Sequence, residues 1–89
     1  MLVRDVTIIN RLGLHARAAA KLVNLAARFG CQITVVKGDR EVNAKSIMGV
    51  LMLAAARGTE LRLLAHGEDA EQALAQLEAL ILRRFDEEE

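Results

Sequence analysis

The chain has 89 residues, with twelve basic and twelve acidic side chains and a formal net charge of zero. A length this short supports one domain, residues 1–89, with a small core. The balanced charge argues against a nucleic-acid binder, and two aromatics, Phe29 and Phe85, give bases no stacking platform. The single cysteine, Cys31, has no partner for an internal disulfide. With no signal peptide and no apolar run of about 18 residues, the sequence reads as a soluble cytoplasmic protein without membrane contact.

The first predicted element is a strand over Val3–Asn10, with Val6 and Ile8 on one face. Ala16–Phe29 reads as a helix whose Ala19, Leu22, Val23 and Ala26 fall at helical spacing, stopped by Gly30. Gln32–Lys37 is a second strand. Ile33 and Val35 share the face that Cys31 begins, which makes Cys31 a buried packing residue. Lys37–Arg40 is a turn and Glu41–Asn43 a short return strand. Ile47–Ala56 is a short apolar helix, preceded by Ser46 as its N-cap and closed by Gly58. Glu60–Ala65 is a fourth strand with Leu61, Leu63 and Ala65 inward. The last helix buries Ala70, Ala73, Leu74, Leu77, Ile81 and Phe85. Asp69 with Gln72 resembles a capping box, and Asp86–Glu89 reads as a frayed acidic tail. The order β-α-β-β-α-β-α suggests an α+β fold in two layers, a sheet with helices on one side.

His15 stands where the first helix begins, and the boundary carries no Ser, Thr, Asp or Asn to satisfy the first free amides. No acid occurs from Gly13 to Gly30, although acids ordinarily favour a helix start. Free amides, a nearby Arg17 and a histidine describe a place for an anion. A neutral His15 can attack phosphorus. The phosphoryl oxygens then take the amides of Ala16 and Arg17, and the Arg17 guanidinium adds charge-assisted hydrogen bonds. Dipole stabilisation of about 0.3–2 kcal/mol tunes such an adduct without trapping it. On the residues alone, His15 is otherwise a tolerated N-cap, and Lys21 an ordinary solvated charge.

Two segments carry a resemblance. Gly13-Leu14-His15-Ala16-Arg17, followed by Lys45-Ser46-Ile47-Met48-Gly49-Val50, resembles the HPr family, the histidine phosphocarriers of the bacterial phosphoenolpyruvate-dependent phosphotransferase system. The likeness runs from Val3 to Phe85. It implies an open-faced sandwich: a four-stranded antiparallel sheet in order 1-4-2-3 with three helices on one face. It further implies that His15 takes a phosphoryl group on Nδ1 from phosphorylated enzyme I and gives it to a histidine of an EIIA domain. Arg17 is then the phosphate-neutralising arginine. The protein is a substrate of phosphotransferases rather than an enzyme, a monomer, and in need of no cofactor. Most members follow the arginine with proline, whereas this chain has Ala18, as does a proteobacterial subset that includes some nitrogen-branch carriers (NPr). The sugar and nitrogen branches therefore both stay open.

The helix after Ser46 is apolar nearly all round, so some of its side chains are expected at the surface, where such patches mark partners. The resemblance implies that Ile47, Met48 and Leu51 face out beside His15 and dock enzyme I and EIIA, ringed by Arg17, Lys45 and Lys21. It also makes Ser46 a site for HPr kinase/phosphorylase. His66 falls out of step with its strand's inward residues and reads as exposed. His15, Cys31 and His66 lack any local ligand spacing, so no metal site is expected. The alternative is a regulatory module that binds an anion or acidic metabolite at the helix start without chemistry.

Overall fold

The computed structural model describes residues 1–89. Its elements are β1 (Leu2–Thr7), α1 (Ala16–Ala26), β2 (Gln32–Lys37), β3 (Arg40–Asn43), α2 (Ile47–Met52), β4 (Glu60–His66) and α3 (Ala70–Leu82). A short turn over Arg84–Asp86 follows. All strand pairs are antiparallel and the sheet order is β1-β4-β2-β3, as expected. Val6, Leu61, Leu63, Ala65, Ile33 and Val35 form the buried face. The helices cover that face with Leu22, Val50, Leu74, Leu77 and Ile81. The other face runs in cross-strand rows, Val3–Leu64–Thr34–Asn43 and Asp5–Arg62–Val36–Glu41. Arg62 Nε donates to Asp5 Oδ1 there at 2.9 Å.

Four expectations are corrected. α1 ends at Ala26, before Phe29, because Phe29 turns back into the core and the last amides tighten onto Leu25 and Ala26 carbonyls. α2 ends at Met52 rather than Ala56. Leu53 and Ala55 are both buried, and residues two apart on a helix cannot share a face. Ala54 resolves this by adopting a left-handed conformation, φ +49°.

Asp69 makes no side-chain cap for α3. Its carboxylate instead accepts the Gly30 amide at 2.9 Å and the Cys31 amide at 3.0 Å. Those bonds, the Gly30 amide foremost, hold its carboxyl below the usual range. They tie the start of α3 to the start of β2. Cys31 is buried as expected, and burial together with Asp69 pushes its thiol up.

The acidic tail is not frayed. Arg84, Phe85 and Asp86 adopt φ of +58°, +53° and +63°, a left-handed turn without a glycine. Each such residue costs roughly 1–2 kcal/mol. Burying Phe85 completely returns about 1.5–3 kcal/mol. The bonds that follow supply the rest. Lys21 Nζ donates to Phe85 O at 2.7 Å and the Arg11 amide to Glu89 O at 2.6 Å. Phe85 is therefore a core residue, but it is reached by a turn rather than along the helical stripe.

Candidate functional site

The site is built on the loop from Asn10 to Leu14. Asn10 is the single buried polar side chain, fully enclosed. Its Nδ2 donates to Gly13 O at 2.9 Å, while its Oδ1 is buried without a partner. Gly13 has φ +67°, and a Cβ there would stand 2.5 Å from Ala55 O and 2.9 Å from Ala56 Cα. Only glycine fits this approach of two backbones. The Leu14 amide then donates to Ala55 O at 2.8 Å. The start of α1 is thereby clamped to the segment that follows α2.

His15 is the N-cap of α1 (φ −72°, ψ 178°), with no side-chain cap bond and no acid in the first turn. Its carbonyl accepts the Ala19 amide at 2.8 Å, so the amides of Ala16, Arg17 and Ala18 precede the first intrahelical bond. The His15 side chain is 28% exposed. Its Nε2 lies 2.5 Å from Glu87 Oε2. The other oxygen, Glu87 Oε1, accepts a second bond from Asn10 Nδ2 at 2.9 Å. Burial would raise the Glu87 carboxyl. The bonds from Asn10 and His15, with the charge of Lys21, outweigh burial and hold it below the usual range. Sequence reasoning missed Glu87 entirely, because it comes from the tail read as frayed.

The three expected cations part company. Arg17 is exposed and makes no ion pair or hydrogen bond. Lys21 is not simply solvated: it holds Phe85 O and lies 4.0 Å from Asp86 Oδ2. Lys45 Nζ donates to Phe29 O at 2.6 Å and so ties off the end of α1. Ser46 caps α2, its Oγ accepting the Gly49 amide at 3.1 Å. On α2, Ile47 and Met48 are exposed, and so is Met52. Leu51 lies half-buried against the core rather than fully outward. Leu12, in the loop ahead of His15, is also exposed, an apolar neighbour that periodicity could not single out.

The clefts along the sheet and around the start of α3 are lined by residues other than His15. No three His, Cys, Asp or Glu side chains are grouped to hold a metal ion, and His66 is exposed at the end of β4. No helix is long and apolar enough to cross a membrane.

An open-faced α+β sandwich with a histidine on an uncapped helix start is the arrangement of a small phosphocarrier. Residues 2–83 match the family described as the PTS HPr component phosphorylation site. The chain belongs to the HPr family of histidine phosphocarriers of the phosphotransferase system. It is 54% identical to phosphocarrier protein HPr of Cupriavidus necator, over the full length of both chains. It is 49% identical to phosphocarrier protein NPr of Shewanella violacea, over 94% of this chain and 92% of that one. Its fold is similar to the crystal structure of HPr-C-His from Thermoanaerobacter tengcongensis, with a TM-score of 0.97, 44% identity and full coverage of both.

Proposed function

We propose that this phosphocarrier accepts a phosphoryl group on His15 from phosphorylated enzyme I, with phosphoenolpyruvate as ultimate donor, and passes it to a histidine of an EIIA domain. The observation that carries the reading is the uncapped, acid-free start of α1 beside a free Arg17. On this reading the free amides take the phosphoryl oxygens, and Arg17 adds charge-assisted bonds. The protein acts in the cytoplasm as a substrate of phosphotransferases, with no turnover of its own. Ile47 and Met48, with the exposed edge of Leu51, form the docking surface. Arg17 supplies its cationic rim, and Lys21 and Lys45 serve chiefly as internal ties. Ser46 is the regulatory position for HPr kinase.

The exposed apolar side chains Ile47, Met48 and Met52 favour a protein partner over a small metabolite, since exposed apolar patches mark protein surfaces. Incubation with phosphoenolpyruvate and enzyme I adds one acid-labile phosphate to the wild type and none to His15→Ala, read by intact mass. Failure with the enzyme I of the source cell overturns the carrier reading in favour of an anion-binding module. Following the phosphate onward, onto a sugar-route or a nitrogen-route EIIA, assigns the branch.

A further inference from the structure

The contact between His15 and Glu87 carries a role beyond packing. We infer that Glu87, held by Asn10, is the positioning residue that fixes the tautomer of His15 and offsets the charge its ring acquires on phosphorylation. The inference rests on His15 being the phosphoryl acceptor.

The geometry decides the proton's place. Glu87 Oε1 accepts Asn10 Nδ2 at 2.9 Å, and Oε2 lies 2.5 Å from His15 Nε2. An ionised carboxylate only accepts, so Nε2 carries the hydrogen and donates. In the neutral ring Nδ1 is then left with the lone pair. Asn10 is fixed in turn. It is fully buried, and Gly13 O takes the second hydrogen of the same amide. This orientation leaves Asn10 Oδ1 buried without a partner. An unpaired buried acceptor forfeits its hydration with no bond in return. The fold tolerates that cost at the place where the amide must donate twice.

The step balances without a further reactant. The Nδ1 lone pair forms the new N–P bond while the bond from phosphorus to the donor's imidazole breaks. The proton stays on Nε2 throughout. The His15 ring passes from neutral to cationic, and Glu87, already anionic and at hydrogen-bond distance, pairs with it. Return of the phosphoryl group to an acceptor reverses the sequence. Such a carboxylate acts by orienting the ring and stabilising the charge that develops on it, and is not itself protonated. Lys21 on α1 is the further charge that acts on Glu87; it also lies 4.0 Å from Asp86 Oδ2, and Arg11 on the loop pairs with Glu89.

Two substitutions separate this role from packing. In Glu87→Ala the ring loses its partner, and acceptance from phosphorylated enzyme I slows by about tenfold, the low end for loss of an orienting partner. Glu87→Gln is worse. Asn10 donates, so the amide oxygen turns to Asn10 and the amide NH₂ faces His15. Nε2 must then accept, and the proton moves to Nδ1, the nucleophile. Acceptance falls on the order of 10²-fold, less than the roughly 10⁴ of a fully buried triad. Nitrogen-15 NMR of the unphosphorylated full chain reads the Nε2–H form in the wild type and a shift toward Nδ1–H in Glu87→Gln, with the fold intact by circular dichroism. A Gln variant that accepts as fast as the Ala variant, or unchanged ring-nitrogen signals, overturns the inference. A wild type that takes no phosphate overturns the carrier reading as well. A labelled wild type with indifferent Glu87 variants overturns this inference alone.

Discussion

Arg17 stands two residues past His15, exposed and with no partner of its own. Ordering a free guanidinium on a phosphoryl group forms a charge-assisted bond that contributes about 1.5–3 kcal/mol. Reversing the charge removes that bond and adds repulsion. Arg17→Glu is therefore expected to slow phosphoryl acceptance by about 10–100-fold. Because the side chain is exposed and unpaired, the melting temperature should stay within about 4 °C, as surface changes usually do. Stopped-flow phosphorylation and a thermal melt check the two halves. His15 and Arg17 were legible in the sequence because the signal is local: a helix start without a cap. Glu87 was not legible. It lies 72 residues from His15, and its reach depends on three left-handed residues that no glycine announces.

At the scale of an element, α2 has a divided surface. Val50 is buried, Ile47, Met48 and Met52 face outward, and Ser46 caps the first turn. A carboxylate at the cap still accepts the Gly49 amide, so Ser46→Asp should keep the helix. It also sets a negative charge beside the proposed docking surface, which would oppose a partner that carries acidic groups there. Acceptance from enzyme I is expected to slow several-fold, with the gap narrowing as salt is added. Equal rates for the variant and the wild type at low salt remove the regulatory role of Ser46 at that step. Apolar periodicity gave the start of α2 correctly but overran its end. The stop is a left-handed Ala54 imposed by two core residues, Leu53 and Ala55. Asp69 misled in the same way. A capping-box pattern is local, whereas the partners that Asp69 satisfies are the amides of Gly30 and Cys31, in the loop just ahead of β2.

For the whole molecule, the strand order was legible only through the family resemblance, since alternation marks the faces of strands and not their neighbours. The tertiary bonds of Asp69 and Glu87 tie distant segments together, and both carboxyls are held below their unfolded values. A lowered folded value gives stability that is present above the unfolded carboxylate range and lost as pH falls through the folded one. The melting temperature should thus fall on acidification below the ordinary carboxylate range. Asp69→Asn should lower it at neutral pH and flatten that fall. Thermal melts across a pH series check both, and parallel curves for variant and wild type would contradict the Asp69 tie. The seat of Gly13 against Ala55 and Ala56 bears on association as well. With no room for a Cβ at Gly13 and the Leu14 amide bonded to Ala55 O, the mount of His15 is tied to the segment after α2. On the proposed reading, a tied mount leaves little chain entropy to surrender when a partner makes contact. If donors and acceptors dock there in turn, as proposed, adaptation between them is expected of flexible side chains such as Met48 rather than of the tied backbone that carries the histidine.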